Sequence, residues 1–478
     1  MSNINLLLST AIENVEYRNT IIALFFILVI CIIIFLIFGF PLLVFIKNSY
    51  KRNKVLPHGE IKYKYAILIP ARNESDVISN SLDSLLRQDY DPDYFDVYVI
   101  VESEKDPTVK ITKSKGYNIV VRTELENRRT KGFALDDGIQ HIKHIGKKYD
   151  AYVVFDADNI LEPSYLSKLN DIKNLGYDLG VGDRLFTNAE ESWVAACSAT
   201  LFSYMSKVTC KARTRFFEKV TIMGTGFYIN SNIIDDAGGW IWNNLSEDSQ
   251  LTNYCYYHNI RCYYYPLARY YDEQPSKYSV LHKQHTRWVW GYVTAGFKKT
   301  NDLIYNKHNT RRFKLAKMEV STSLFPFLFI NIALVFNLIC SLLLMLSAFF
   351  QIGFTSDSYI QIINFKGSTW FVCTIYFLLS LFFTWFPWLF IPLVIFAIDK
   401  QNIAWSSKTK IKVCLTYGLF FYDFALAFLD GLIFPKKRKA WKQIKHSGNI
   451  TCSQAFESIT QEINKKDILD HEKKKDSK

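Results

Sequence analysis

The sequence lacks the cysteine pattern of a zinc-binding or disulfide-rich protein. Its nine cysteines are scattered and include no Cys-x-x-Cys pair. Zinc sites use closely spaced ligands, and disulfide frameworks occur mainly in secreted chains. The sequence therefore predicts neither kind of site and fits a reducing cytosolic environment. No internal repeat is recognisable along the chain.

The chain is also not poor in apolar or aromatic residues, as a disordered protein would be. Hydrophobic residues make up 49% and aromatic residues 16% of the chain. The 57 basic and 45 acidic residues leave a net charge of +12. Basic residues cluster beside an apolar segment, so membrane-proximal charge explains this value more simply than nucleic-acid binding does. We expect no nucleic-acid partner.

Four apolar runs are long enough to cross a bilayer as helices, which takes about 20 residues. They cover 21–46, 324–350, 370–398 and 413–434, and the last contains Asp423 and Asp430. The first run is too long and uniform for a signal peptide and is followed by no small-residue cleavage site. We interpret it as an uncleaved anchor. The lipid bilayer is thus the first predicted partner.

The charges around the first run predict where the soluble segment lies. Four basic residues follow the run: Lys47, Lys51, Arg52 and Lys54. The residues before it carry mixed charge. By the positive-inside rule the soluble segment is cytoplasmic.

The three C-terminal runs then conflict with the same rule. Three crossings would place the basic tail outside the cell. Either Pro387 and Pro392 break the third run into a hairpin, or the fourth run lies partly in the membrane interface. We favour an even number of C-terminal crossings and a cytosolic tail. Asp423 and Asp430 are interpreted as helix-end residues facing water or protein, or alternatively as an ion relay.

The soluble segment alternates short apolar runs with helical stretches. Apolar runs at 64–70, 95–101, 117–122 and 151–155 suit strands covered on both faces. Helical stretches such as 76–88 and 132–144 separate them, which predicts a β-α-β-α-β pattern with a parallel sheet. Ligands of such sheets bind beyond the carboxyl ends of the strands.

Polar residues follow three of these strands. The first ends in Pro70-Ala71-Arg72-Asn73-Glu74 and the second is followed by Glu102; both segments could equally be turns or caps. The fourth is followed by Asp156 and Asp158, two carboxylates that would be costly to bury without a partner. A hard cation, Mg²⁺ or Mn²⁺, that itself holds a diphosphate would satisfy them.

Three further motifs follow in order. Gly224, Thr225, Gly226 and Phe227 form a glycine-bracketed turn, where a substrate could approach the backbone. Ser246-Glu247-Asp248 offers a carboxylate that could deprotonate a hydroxyl, or else a helix N-cap with an acidic first turn.

In the third motif, Gln284, Arg287 and Trp288 share one face of a predicted helix over 276–299. Arg287 could bind a phosphate and Trp288 could stack on a sugar. The alternative is a basic helix lying on the membrane without a catalytic part.

Asp-Ala-Asp, Ser-Glu-Asp and Gln-His-Thr-Arg-Trp, in this order between membrane segments, resemble the D,D,D,QxxRW pattern of family-2 processive β-glycosyltransferases. That family contains cellulose, chitin, hyaluronan and poly-N-acetylglucosamine synthases. The resemblance spans 21–446. It implies an α/β, GT-A-like nucleotide-sugar domain with a Rossmann-like parallel sheet, inserted between N- and C-terminal transmembrane helices.

The implied domains are an anchor at 1–50, a cytosolic glycosyltransferase domain at 60–275, interface helices at 276–318, a transmembrane region at 319–435 and a cytosolic tail at 436–478. The protein would be a multi-pass protein of the plasma membrane. Aromatic residues such as Trp370, Trp385, Phe386, Trp388 and Phe390 would suit a sugar conduit, and equally suit interfacial anchors.

The resemblance also implies roles for single residues. Asp156 would bind the nucleotide, Asp158 the metal, and Asp248, beside Glu247, would be the general base. Arg287 would bind the diphosphate, with Gln284 beside it and Trp288 under the acceptor sugar. The remaining implied substrate contacts are Pro70, Ala71, Glu74, Lys131, Gly224, Thr225, Gly226 and Phe227. Glu102 stands where the family usually has Asp, Ser246 replaces the usual Thr, and His285 is not the commonest residue in QxxRW.

These roles imply a processive inverting synthase that takes a UDP-sugar, most simply UDP-glucose, and exports a β-linked polysaccharide. The growing chain is the acceptor, and Mg²⁺ or Mn²⁺ is the cofactor. Alternatives are a synthase that uses UDP-N-acetylglucosamine and a one-step transferase that loads a lipid phosphate. A transporter would explain the membrane runs but not the three ordered motifs. The sequence identifies no accessory subunit.

Overall fold

The computed structural model describes residues 15–126, 128–305, 325–350, 352–354, 360–362 and 367–435. The chain begins there with a long helix, α1 (Val15–Ser49), which contains most of the first apolar run. The tail at 436–478 and the end of the predicted interface segment lie outside the described residues.

The first half of the sheet domain alternates strands and helices as predicted. Its elements are β1 (Tyr65–Pro70), α2 (Ile78–Leu86), β2 (Phe95–Val101), α3 (Pro107–Ser114), β3 (Asn118–Val121), α4 (Lys131–His144) and β4 (Ala151–Val154). β1 pairs in parallel with both β2 and β4, and β2 pairs in parallel with β3. The parallel β-α-β-α-β prediction is confirmed for these four strands.

The second half of the domain adds strands that the sequence pattern did not predict. It contains β5 (Ile160–Leu161), α5 (Tyr165–Asn174), β6 (Leu179–Phe186), α6 (Trp193–Tyr204), a π-helical turn (Met205–Cys210), α7 (Lys211–Phe217), β7 (Phe227–Asn230), α8 (Ser231–Asp236), α9 (Glu247–Tyr257) and β8 (Cys262–Asp272). The eight strands lie in the order β3-β2-β1-β4-β7-β6-β8-β5. β7 runs antiparallel to both β4 and β6, so the complete sheet is mixed.

Apolar layers cover both faces of the sheet. Along β1, Ala66 and Leu68 pack into one buried cluster, whereas Ile67 and Ile69 pack into another. All four side chains are fully buried. Burial on both faces explains why the strand is continuously apolar rather than alternating.

The C-terminal part consists of α10 (Tyr278–Tyr305), α11 (Phe325–Phe350), the β9 (Ile352–Phe354) and β10 (Ile360–Ile362) pair, α12 (Gly367–Ile398) and α13 (Ser407–Ile433). Among the described helices, three contain segments long and apolar enough to cross a membrane, Ile330–Phe350, Trp370–Ile398 and Ser407–Ile433. The predicted hairpin in the third run is wrong, because Pro387 and Pro392 both lie inside the single helix α12.

Contacts between the α12–α13 connection and the sheet domain join the two parts. Lys207, in the π-helical turn, lies between Asp183 of β6 and Asp399, with Nζ 3.7 Å from Asp399. The Glu190 carboxylate accepts hydrogen bonds from the backbone N–H of Ser406 at 2.9 Å and from its hydroxyl at 2.8 Å. The membrane-type helices are therefore held against the edge of the domain that carries the sequence motifs.

Candidate active site

A cavity of about 1290 Å³ opens beyond the strand ends and continues between the helices of the C-terminal part. Its wall contains most of the residues that the sequence singled out: Pro70, Ala71, Glu74, Glu102, Lys131, Asp156, Asp158, Gly224, Glu247, Asp248, Gln284, Arg287 and Trp288. Motifs from almost the whole soluble segment thus meet at one place.

The loops after β1 and β2 are tied to each other. Asn73, which has a positive φ of 56°, donates its backbone N–H to Asp106 Oδ2 at 2.9 Å. The Glu74 N–H donates to Thr108 Oγ1 at 3.0 Å. Burial, followed by the charge of Asp156, raises the pKa of Glu74 to about 7. With a pKa near neutral pH, this carboxyl group can donate a hydrogen bond when protonated and accept one when ionised.

Glu102 lies at the far end of the same wall. Its carboxylate is 3.1 Å from Nε of Arg72 and 3.9 Å from Arg122. Arg122 is also held by Asp137 at 2.6 Å. The carboxylate is therefore held in place by cations while it still lines the cavity.

Lys131 connects three of the motifs. It is the first residue of α4, whose N-cap Thr130 accepts a hydrogen bond from the backbone N–H of Phe133. The ammonium group contacts the Asp156 carboxylate and donates to the Gly224 carbonyl at 2.8 Å. Burial lowers the pKa of Lys131, but the charges of Asp156 and Glu247 outweigh it and leave this pKa raised. A cation is thus maintained among the carboxylates.

Asp158 belongs to a buried polar chain. Asn159 donates to Asp158 Oδ1 at 3.1 Å and to Asp272 Oδ1 at 2.9 Å. The other Asp272 oxygen accepts from Arg184 Nε at 3.0 Å. Burial and the charges of Asp272 and Asp156 raise the pKa of Asp158 well above its usual range.

The residues at this point fit a divalent cation. Asp158 offers a half-buried carboxylate of the kind that Mg²⁺ and Mn²⁺ prefer, in a place where negative charge is in excess. Within the described part of the chain, no group of three or more His, Cys, Asp or Glu side chains could hold a metal alone. The arrangement suits an ion that takes its remaining ligands from a substrate.

The glycine-bracketed turn is placed partly as expected. Gly224 lines the cavity, and a Cβ there would lie 3.7 Å from Asp248 Oδ2. Thr225 and Phe227 are buried beneath it, and Gly226 has a φ of 68° that favours glycine. The Thr225 hydroxyl accepts the Asp156 N–H at 2.9 Å. These three residues shape the turn and do not themselves line the cavity.

Glu247 and Asp248 form the first turn of α9. Ser246 stands at the N-cap position, but its side chain makes no capping hydrogen bond and instead reaches the Trp288 carbonyl at 3.5 Å. Burial and the charge of Asp248 raise the pKa of Glu247 to about 7. Burial also raises the pKa of Asp248, which Lys131 and Arg287 oppose. A proton acceptor with a raised pKa is a better base at neutral pH than an ordinary carboxylate.

Helix α10 brings its motif to the opposite wall of the cavity. The Oε1 atom of Gln284 is buried and has no hydrogen-bond partner in the described structure. The Trp288 ring packs edge-on against Phe202 at 5.9 Å. Gly291 lies so close to Ser246 that a Cβ would be 2.2 Å from its hydroxyl. Close approach of α10 to the start of α9 thus sets Trp288 beside the carboxylates.

The sequence reasoning missed Arg184 and Asp272, which also line the cavity. Asp272 is the last residue of β8, so the strand-end rule could have found it had β8 been predicted. Arg184 lies inside β6 next to Asp183, and its only signal in the sequence is that the two residues are charged in a strand whose other residues are apolar or glycine. Only the pairing of β6 with β8 brings the two residues together.

The chain is similar to known glycosyltransferases in sequence and in fold. Residues 63–291 match the family described as glycosyltransferase like family 2. A probable glycosyltransferase from Bacillus subtilis, YdaM, is 26% identical over 80% of this chain and 84% of its own length.

A probable glucomannan 4-beta-mannosyltransferase 7 from Oryza sativa is 26% identical over 50% of this chain. This chain spans 42% of that relative.

Among solved structures, the mannosyltransferase PcManGT from Pyrobaculum calidifontis, in complex with GDP-Man and Mn²⁺, has a TM-score of 0.54. The match has 14% identity and covers 84% of this chain and 99% of the other. It supports the GT-A-like α/β fold.

Proposed function

Because residues 63–291 form a family-2 glycosyltransferase domain, we propose that this enzyme is a membrane-embedded, inverting and processive polysaccharide synthase. One observation carries the proposal: a single cavity contains the strand-end carboxylates, Asp248 and the α10 motif, and continues to aromatic residues of a membrane-type helix. A polymerase needs donor, base and product path in one continuous space.

The strand-end half of the cavity would bind the nucleotide sugar. Pro70, Ala71 and Glu74 line this half of the cavity. Glu102, which Arg72 holds in place, would accept a hydrogen bond from the nucleotide base. Lys131 and Arg287 supply positive charge for the diphosphate. When bound at Asp158, Mg²⁺ or Mn²⁺ would neutralise negative charge on the leaving diphosphate.

Asp248 would act as the general base. The acceptor hydroxyl forms a bond to the anomeric carbon as the bond from that carbon to the diphosphate oxygen breaks, and the proton goes to Asp248. The nucleoside diphosphate leaves with the bonding electrons. Because no covalent enzyme intermediate forms, the anomeric centre inverts and an α-linked donor yields a β-linked product.

The membrane-side half of the cavity supports a product path. Phe386, Trp388 and Phe390 of α12 line it, together with Phe421 and Phe424 of α13. Sugar rings pack well on aromatic faces, and these side chains line the same cavity as Trp288. Export of the growing chain through this space is part of the proposal.

The position of α13 supports an even number of C-terminal crossings. At its start the helix is held to the sheet domain, where the Ser406 hydroxyl donates to Glu190. Near its end it contacts α10, where Phe428 stacks on Trp290 at 5.2 Å. A helix of this length spans about 40 Å, so a crossing helix would leave the domain. An apolar stripe faces away: Ile411, Leu415, Leu419, Leu426 and Leu429. We propose that the protein lies in the plasma membrane, that α11 and α12 cross it, and that α13 lies in the membrane interface. A tag at the C-terminus would then be on the cytosolic side.

UDP-glucose is the first donor to test, with UDP-N-acetylglucosamine as its closest alternative. A second candidate donor is GDP-mannose, because the plant relatives are named as mannosyltransferases. A carboxylate such as Glu102 can accept hydrogen bonds from either uracil or guanine N–H groups. The donor is therefore decided by measurement.

The test is nucleoside-diphosphate release by the purified, detergent-solubilised enzyme with Mg²⁺ or Mn²⁺ and each of the three donors. We expect metal-dependent release with one donor and a high-mass, glycosidase-sensitive product. A short, lipid-extractable product would instead favour the lipid-phosphate transferase. Release with none of the donors would contradict the proposal.

A further inference from the structure

A buried carboxylate on α13 holds the helix that carries the QxxRW motif. Asp423 Oδ1 accepts a hydrogen bond from the Tyr278 hydroxyl at 2.6 Å and lies 2.7 Å from His282 Nδ1. Asp423 Oδ2 lies 2.7 Å from His285 Nδ1. The three partners are spaced four and three residues apart, so they form one stripe along α10. We call these four residues the Asp423 cluster.

Asp423 is not a helix-end residue, contrary to the sequence interpretation. It lies inside α13 (Ser407–Ile433) and is fully buried. The side chain faces protein and not water. A buried carboxylate without partners would be strongly destabilising, whereas here both oxygens are satisfied by α10.

The histidine contacts are directional. The His285 ring is fully buried and stacks on Phe424 with centroids 3.8 Å apart. Burial lowers the pKa of His285, although Asp423 opposes this effect. Because a carboxylate oxygen only accepts hydrogen bonds, the Nδ1 atom that faces Asp423 is the donor. Its Nε2 has no hydrogen-bond partner in the described structure. Such a ring tolerates neither rotation nor the other tautomer without losing its bond to Asp423.

The same helix presents Gln284, Arg287 and Trp288 to the cavity. These residues alternate along α10 with the histidines of the Asp423 cluster. A shift or rotation of α10 would therefore move the guanidinium and the indole relative to Asp248. The polar contacts of Asp423 described above all run to α10.

We propose that Asp423 is a positioning residue: by holding Tyr278, His282 and His285 it fixes the rotation and axial position of α10, and thereby places Arg287 and Trp288 for transfer. Buried polar contacts are well suited to set the register of packed helices. The inference deepens the proposed function and rests on it for its kinetic test.

The kinetic test compares Asp423→Asn with the native enzyme. Asn keeps the size but replaces one carboxylate oxygen by an N–H₂ group, so one or two of the three contacts are lost. We expect kcat to fall by about tenfold or more while nucleotide binding changes by less than about threefold. Asp236→Asn, which changes an exposed carboxylate on α8 of the sheet domain, is the matched control.

A double variant separates positioning from general destabilisation. If Asp423 acts through Arg287, then Asp423→Asn should reduce activity by no more than about threefold further in an Arg287→Ala background. Equal loss in both backgrounds would overturn the proposal. So would an unchanged kcat, or a loss of nucleotide binding as large as the loss of kcat.

Substitution from the other side of the contact provides a rescue. His285→Asn places an amide N–H where Nδ1 donates, whereas His285→Leu places none there. We expect the Asn variant to retain most of the kcat and the Leu variant to lose it. Equal activities of the two variants would contradict a directional contact with Asp423, even if Asp423→Asn failed to fold.

Hydrogen exchange provides a readout that needs no donor. In Asp423→Asn, amides of 278–292 should exchange faster, while amides of 65–158 should not change. If the native protein turns over no donor, the proposed function fails, but this exchange pattern still decides the positioning role. The positioning role would be overturned if exchange became faster throughout the protein, or if the exchange of the α10 amides did not change.

Discussion

The strand-end half of the cavity and its membrane-side half are positioned by different kinds of contact. On the strand-end side, Glu74, Glu102 and Asp156 follow neighbouring parallel strands, and short loops hold them. On the membrane side, Arg287 and Trp288 lie on a helix whose place depends on Asp423, far along the chain. The comparison teaches that sheet topology places the proposed nucleotide-binding carboxylates, whereas buried contacts between helices place Arg287 and Trp288.

The largest effect is expected where the two halves meet. Asp248→Asn removes the proposed base and should lower turnover by roughly 10²- to 10⁴-fold, because proton removal in the transition state is lost. Nucleotide affinity, measured by calorimetry, should stay close to that of the native enzyme. Asp236→Asn, an exposed carboxylate on α8, is the control. Turnover close to native in Asp248→Asn would mean that Asp248 is not the general base.

Next in size is a change on the membrane side. Arg287→Ala should lower kcat by roughly 10²-fold, because in the proposed mechanism the guanidinium stabilises charge on the leaving diphosphate. Arg287 also lowers the pKa of Asp248, so rates should be compared at a pH high enough to ionise the base. Arg287→Lys should recover part of the rate. If Arg287→Ala weakened only nucleotide binding, Arg287 would belong to the strand-end half.

A smaller effect is expected from Lys131→Met on the strand-end side. Loss of its charge-assisted contact with Asp156 should lower turnover by about tenfold. Lys131 also lowers the pKa values of Glu247 and Asp248. Without it these values rise, and because the base works only when ionised, the acidic limb of the pH-rate profile should move to higher pH. A limb at unchanged pH would show that Lys131 does not act on the base.

The smallest effect on turnover is expected from Trp388→Ala. This residue is remote from the reacting groups but lines the path between the helices. Loss of one aromatic contact should change the initial rate by about threefold or less while shortening the product. Gel filtration of the polymer measures its length, with Phe382→Ala as a control on the half-exposed ring of a neighbouring residue. Unchanged product length would argue against a conduit beside Trp388.

Much of the strand-end half could be predicted from the sequence. Strands buried on both faces leave continuous apolar runs, so β1, β2 and β4 were placed within one or two residues of their bounds. Parallel pairing then brings their carboxyl ends together, which is why Glu74, Glu102 and Asp156 could be expected at one cavity. Helical spacing likewise grouped Gln284, Arg287 and Trp288.

Other features had no local signal. β6 and β8 pair although about 80 residues separate them, and only this pairing joins Arg184 to Asp272. The prolines of α12 indicated a break, yet the helix continues through them, as neighbouring helices permit for an apolar segment. Asp423 was interpreted as a helix-end residue, because its three partners lie more than a hundred residues earlier in the chain and leave no local signal.

The sequence by itself determined the chemistry and its order: the carboxylates, the cation-bearing helix and the apolar runs, because these depend on residue type and on periods of two or 3.6 residues. Tertiary structure alone decided which groups support them. Lys131 was joined to Asp156 and Gly224, Arg184 to Asp272, and Asp423 to the histidines of α10, because contacts between distant segments depend on packing that no local period encodes.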